Sequence, residues 1–393
     1  MDWPHLYDLS PIGRLLVLGA LVAALPLAWA LRPRSGAWSV SDRLRQLTWV
    51  TLFLTFDLVL FGAFTRLTDS GLGCPDWPGC YGHASPVGAG GHIAAAQAAM
   101  PTGPVTLSKA WIEMIHRYLA SGVGALILVL AVLTWWHRRR LHVSPWWPTV
   151  TLIWVCIQGA FGALTVTMKL FPAIVTLHLL GGLVLLALLR HQSLLYQSPS
   201  ALTVPNAAVP VVPARGRALR WGVYGVTVLV WLQIALGGWV STNYAVLACT
   251  SFPTCQGAWW PDMDWRNGFT IWRELGVSAS GDALPFPALT AIHMAHRLGA
   301  VVVVLAVLAL AAALWRLPPL RRAARGLVLL AAWQVFTGLS NVVLGWPLLA
   351  AVAHTGGAAA LVIWLVGLGR GVSEASSSGA APPFPSPSRV SVP

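Results

Sequence analysis

Residues 109–136 read KAWIEMIHRYLASGVGALILVLAVLTWW. From Tyr118 to Trp136 this run carries no charge. A bilayer-spanning helix needs about 20 mainly apolar residues, so the stretch reads as a transmembrane helix. Its first third nevertheless holds Glu113, His116 and Arg117. An ionisable side chain in hydrocarbon is costly unless something binds it, so it marks a functional site. A second run, 290–314, reads TAIHMAHRLGAVVVVLAVLALAAAL and repeats the pattern with His296-Arg297. Each has a partner: His178 follows His116 by 62 residues and precedes Gly181-Gly182, and His354 follows His296 by 58 and precedes Gly356-Gly357. Four histidines in two matched pairs point to two similar buried sites.

Working outward, nine apolar runs are long enough to span, roughly 12–31, 46–66, 109–136, 147–167, 172–190, 219–241, 290–314, 325–345 and 348–369. The 393 residues are 56% hydrophobic and 9% charged, against about 25% charged in a soluble domain. The chain is therefore predicted to be an all-α integral membrane protein. The first run lacks a basic start and a small-residue cleavage site, and reads as a retained anchor.

The net charge of +13 is almost wholly arginine. Arg32, Arg34, Arg43 and Arg45 follow the first run, and Arg138, Arg139 and Arg140 follow the third. Arg190, Arg215, Arg217 and Arg220 lie between the fifth and sixth, and Arg316, Arg321, Arg322 and Arg325 between the seventh and eighth. Alternating helices put all of these on one side, which the positive-inside rule makes cytoplasmic. The N-terminus is then periplasmic, the C-terminus cytoplasmic and the membrane a bacterial inner membrane. Basic residues placed this way explain themselves without nucleic acid.

The long links 67–108 and 242–289 fall on the opposite, oxidising face and hold Cys74 with Cys80 and Cys249 with Cys255. A disulfide over so short a loop stabilises by about 2 kcal/mol. Cys249–Cys255 reads as a structural staple; Cys74–Cys80 reads equally as a staple or as a thiol–disulfide participant. Cys156, alone in an apolar run, is expected to be a buried small hydrophobe.

The chain also repeats internally. Gly62 lies 12 residues before Cys74 and Gly237 lies 12 before Cys249. His116-Arg117 matches His296-Arg297, Trp154 and Gly159 match Trp333 and Gly338, and His178 matches His354. The expected organisation is an anchor helix and link at 1–45, a four-helix bundle at 46–190, a cytoplasmic linker at 191–218, a second four-helix bundle at 219–369 and a disordered tail at 370–393. An even number of spans per unit makes the bundles parallel repeats.

At 1.5 Å per residue, both histidines of each pair sit about 10 Å below the outer interface. Two axial imidazoles at one depth in an apolar slot suit a heme, which bundles hold between facing helices. Zinc wants more protein ligands, and a di-metal site needs more carboxylates than the single glutamate here. Gly181, Gly182, Gly356 and Gly357 are expected to leave room for the macrocycle. Arg117 and Arg297 are expected to support the heme propionates, or else to snorkel toward headgroups.

Glu113 stands one helical turn outside His116, where the other copy has His293. A carboxylate at a heme edge can act as base or cation stabiliser, so the first bundle is the catalytic one. Asp57, Arg66, Asp69 and Asp76 read as structural or loop residues. His83, His92, His137 and His142 read as solvent-facing, and the 22 tryptophans as interfacial anchors.

These residues resemble the heme A synthase family. The segment Thr65–Cys80, TRLTDSGLGCPDWPGC, is similar to that family's first outer loop, and EMIHR at 113–117 to its glutamate-histidine-arginine motif. The resemblance covers roughly 46–369; the helix at 12–31 departs from the family's eight spans. It implies oxidation of the C8 methyl of heme O to a formyl group by successive hydroxylations, giving heme A for terminal oxidases. It implies that His116 and His178 hold substrate heme with Glu113 near the methyl, and that His296 and His354 ligate a resident heme b that relays electrons. It gives Cys74 and Cys80 a role in activity or heme handling. Heme O synthase, oxidase assembly factors and a second copy of the chain are the expected partners. The alternative is a di-heme cytochrome b passing electrons from quinol; Glu113 and the asymmetry of the halves favour the synthase.

Overall fold

The computed structural model describes residues 10–32, 39–197 and 215–377. Arg34, 198–214 of the expected linker and 378–393 of the expected tail lie outside the described residues. Among those described, nine helices are long and apolar enough to cross a membrane, as expected. They are α1 (Ser10–Leu31), α2 (Val40–Leu67), α4 (Leu107–Trp136), α5 (Trp146–Thr167), α6 (Pro172–Leu195), α7 (Arg215–Thr242), α9 (Phe286–Trp315), α10 (Arg321–Val343) and α11 (Leu348–Ser377). Two short helices that the sequence reading did not include, α3 (Gly90–Ala99) and α8 (Trp265–Gly268), lie in the long links 67–108 and 242–289.

Local chemistry sets the helix starts. Ser39 and Asp42 form a capping box on α2, with the Asp42 carboxylate accepting the Ser39 N–H at 3.1 Å. Thr106 caps α4 by accepting the Lys109 N–H. Pro172 opens α6 at a position where its missing donor costs nothing. At its far end α6 runs to Leu195, past the expected stop at 190. Tyr196 explains the extension: it is fully buried, its hydroxyl lies 2.5 Å from that of Thr134, and its carbonyl accepts from Ser41 at 2.9 Å.

Packing closes two rings. α2 meets α4, α4 meets α5, α5 meets α6, and α6 meets α2; likewise α7, α9, α10 and α11 close in that order. Leu47, Leu126, Ile127, Leu186 and Leu189 are fully buried in the first ring. The rings meet through α2 with α11, α6 with α7, and α6 with α11. Residues 175 apart touch across this junction: Arg66 donates to the Ser241 carbonyl at 2.6 Å, and Tyr244 donates to Asp69 at 2.6 Å. Each is one position in both copies, so a two-fold axis runs between them. Burial, partly opposed by Arg66, lifts the Tyr244 phenol above its ordinary range and keeps it a donor.

α1 stands outside the rings and lies along α4. A Cβ on Gly19 would stand 2.6 Å from that of Ser121, so small residues let the backbones approach. Cys156 is exposed on α5, which corrects the expectation of a buried thiol. An apolar span has a lipid-facing side as well as a core side, and Cys156 falls on the former.

Candidate functional site

Within each ring the histidines stand on helices that are not neighbours: His116 on α4 and His178 on α6, His296 on α9 and His354 on α11. They therefore face each other across the bundle interior. The His296 and His354 rings are 6.4 Å apart, centre to centre, and nearly perpendicular at 84°. An imidazole nitrogen sits about 2 Å from a bound first-row metal, with its ring centre about 1 Å behind; two axial imidazoles on one iron thus place their centres about 6 Å apart. His116 stacks on Phe61, with ring centres 6.3 Å apart.

Each imidazole lies against a glycine of the neighbouring helix. A Cβ on Gly237 would come within 2.9 Å of the His296 ring, and one on Gly338 within 3.1 Å of His354. In the first ring Gly62 faces His116 and Gly162 faces His178 in the same way. Among the described residues no group of three or more His, Cys, Asp or Glu is arranged to hold a metal. Each pair thus offers two ligands, which fits a macrocycle that brings the remaining four.

The rings differ behind the histidines. His354 Nδ1 lies 2.9 Å from the Thr337 hydroxyl, and His296 Nδ1 lies 2.9 Å from the Gln233 amide. In the first ring His178 Nδ1 is buried with no partner.

Above the slots sit two matching loops. Cys74–Cys80 and Cys249–Cys255 are both disulfides, with Cα atoms 4.9 and 4.7 Å apart. Cys80 exchanges two backbone hydrogen bonds with His83, and Cys255 does the same with Ala258. Asp76 holds the first loop by accepting from Tyr81 and Gly82 at 2.6 and 2.7 Å. Arg117 donates to the carbonyls of Pro78 and Gly79. Arg297 donates to those of Thr254 and Cys249, each at 3.1 Å. Glu113 is buried, pairs with Arg117 and accepts the Cys74 N–H at 2.7 Å. His293 instead faces the Ala245 carbonyl at 3.0 Å.

Residues 45–366 match the cytochrome oxidase assembly protein family. The chain is 40% identical to a heme A synthase of Shewanella oneidensis over 327 residues, covering 82% of this chain and 95% of that one. The chain belongs to the heme A synthase family. A heme A synthase of Shouchella clausii is 26% identical over 221 residues, 56% of this chain and 66% of that protein. One of Alkalihalophilus pseudofirmus is 26% identical over 228 residues, 56% and 67% respectively. α1 precedes the matched residues.

Against that family background, three expectations need correction. Gly181, Gly356 and Gly357 serve helix contact: added Cβ atoms would strike Gln158, Leu60 and Trp333 respectively. The glycines that face the imidazoles are Gly62, Gly162, Gly237 and Gly338. The equivalent of Gly338 is accordingly Gly162, not Gly159, since both stand 16 residues before their histidine. Trp154 and Trp333 differ correspondingly by a turn; their indoles donate to the carbonyls of Gly181 and Ala353. Finally, His83 and His137 are half-buried, while His92 and His142 are exposed.

Residues the sequence left unremarked also join the site's frame. Arg273 is buried and donates to Asn243 at 2.5 Å, and Tyr244 lies 4.0 Å beneath the Arg66 guanidinium. The shared positive φ of Asp69 and Tyr244, 52° and 55°, marks the same turn in both copies.

Proposed function

We infer that this chain is a heme A synthase, an oxidoreductase that converts the C8 methyl of heme O to a formyl group and so makes heme A. Family membership carries the activity. The observation that carries the division of labour is the His296–His354 pair, spaced at 6.4 Å across a closed four-helix ring. We assign that pair to a resident heme b and His116 with His178 to the substrate heme, each pair in its own bundle, 46–190 and 219–369.

Bound at the second pair, heme b would supply electron transfer. The chain's own groups do the rest. The imidazoles bind from opposite helices, and the facing glycines set how near the rings approach the neighbouring helices. Glu113 holds negative charge at the mouth of the first slot, where His293 holds none in the second. Arg117 and Glu113 tie the Cys74–Cys80 loop to the helix of His116, so the disulfide's role in heme handling is to fix that mouth. Arg297 Nε is buried without a partner and remains for a propionate.

The disulfide loops stand at the periplasmic face of the inner membrane and the arginine-rich links at the cytoplasmic face. This puts the N-terminus outside, the C-terminus inside and both slots near the periplasmic side. Heme O synthase and oxidase assembly factors would meet the protein there.

The test is to express the full chain with a supply of heme O, extract the hemes, and analyse them by mass spectrometry. Hydroxylated and formyl products are expected. Heme b with unaltered heme O would overturn the reading.

A further inference from the structure

We propose that Thr337 is a positioning residue that makes His354 a permanent iron ligand, and that Phe161 in its place makes the first slot the exchangeable one. The inference rests on the ligand assignment proposed above.

Thr337 and Phe161 are structural counterparts, each 17 residues before the histidine of its ring. The Thr337 hydroxyl donates to the Trp333 carbonyl at 2.8 Å, which uses its only proton. Its oxygen, 2.9 Å from His354 Nδ1, must then accept the proton on that nitrogen. The tautomer is fixed with Nε2 bare, the form of imidazole that binds a metal. Thr337 is buried, so water does not compete for the contact.

Phe161 has no acceptor. His178 Nδ1 is accordingly buried without a partner, and nothing fixes its tautomer or ring angle. The same contrast holds on the other ligand. Gln233, four residues before Gly237, approaches His296 Nδ1 at 2.9 Å. The same amide nitrogen donates to the His296 carbonyl at 3.0 Å, so Gln233 holds the ring in place but, unlike Thr337, does not fix which nitrogen carries the proton. The matching residue, four before Gly62, is Leu58. Among the described residues, His116 takes no hydrogen bond.

Outer partners of metal-bound imidazoles are typically worth 10–100-fold in affinity. In one slot both imidazoles have a side-chain neighbour at Nδ1, and His354 has its tautomer fixed; in the other, among the described residues, neither has one. A resident cofactor must stay through every turnover, whereas a substrate that leaves as product must be let go. The bracing follows that difference.

The full chain, purified in detergent, tests this. Heme retention is followed during incubation with excess apomyoglobin, and the low-spin electron paramagnetic resonance signal and midpoint potential of the retained heme are recorded. Thr337→Val keeps the shape and removes the oxygen. It is expected to lose resident heme about 10–100-fold faster and to shift both signal and potential. Thr337→Ser restores the oxygen and is expected to restore all three. Phe161→Thr is expected to slow heme loss from the first slot. Wild-type behaviour of Thr337→Val, or failure of Thr337→Ser to restore what a folded Thr337→Val has lost, overturns the positioning role. His354→Ala separates the two levels of argument. If it keeps the resident heme, the ligand assignment itself is wrong; if it loses that heme while Thr337→Val is unchanged, only the positioning inference fails.

Discussion

Replacing Gly237 by alanine perturbs one ligand through one atom. The new methyl carbon would stand 2.9 Å from His296 Cε1, where carbon atoms rest at about 3.5–4.0 Å. The imidazole cannot retreat freely, because the Gln233 amide lies 2.9 Å from Nδ1 on the same ring. Either α7 shifts or the ring turns away from its partner. Overpacking of this kind costs about 1–3 kcal/mol, and each 1.4 kcal/mol is tenfold in binding. Gly237→Ala is thus expected to weaken heme b binding about 5- to 150-fold, read by absorbance titration of heme into apoprotein. Gly225→Ala on the same helix is the control, since nothing lies within 4 Å of its added carbon. Equal affinity in the two variants would refute the idea that glycine is required by the approach of the imidazole.

Other expectations follow from neighbouring contacts. Glu113→Gln keeps the shape and removes the charge, so bound heme should persist while formyl product is lost; normal turnover by mass spectrometry would remove Glu113 from the reaction. Cys74→Ser should lower stability by about 2 kcal/mol and lower product formation too, because the Cys74 N–H holds Glu113; a thermal melt and product assay that both match wild type would contradict this. Arg66→Ala removes the hydrogen bond to Ser241 and the ion pair to Asp69. It should make the junction between the halves more accessible to proteolysis with heme content intact, and an unchanged digestion pattern would count against a role in joining them.

Much of the fold was legible because hydrocarbon imposes a simple rule on sequence. Apolar length alone located nine spans. The histidines stood out for the same reason, as costly residues in an apolar run. Register was harder to read. Gly159 aligns with Gly338 in sequence because both follow a tryptophan by five residues, yet only proximity to the imidazole identifies Gly162 as the partner. In an apolar helix small residues are frequent, so a single identity does not fix alignment to better than a turn. Nearness in sequence misleads for the glycines beside the histidines too: Gly357 follows His354 closely but faces the Trp333 and Gln334 side chains. The bracing by Thr337 and Gln233 was hidden because it crosses between helices, and a threonine in a span usually bonds its own backbone. Cys156 was misplaced because hydropathy does not separate core from lipid.

The junction of Arg66 with Ser241 and Asp69 with Tyr244 carries a historical consequence. Equivalent positions meet only on the axis of an isologous pair, where every residue faces its own copy. The protein thus has the geometry of a homodimer whose subunits became one chain. In a true dimer the pair at 69 and 244 would be two aspartates repelling or two tyrosines competing. Within one chain that position is free of self-complementarity, and an acid can meet a phenol. The same freedom lets Glu113 correspond to His293, and Phe161 to Thr337, so the two pockets need not be alike.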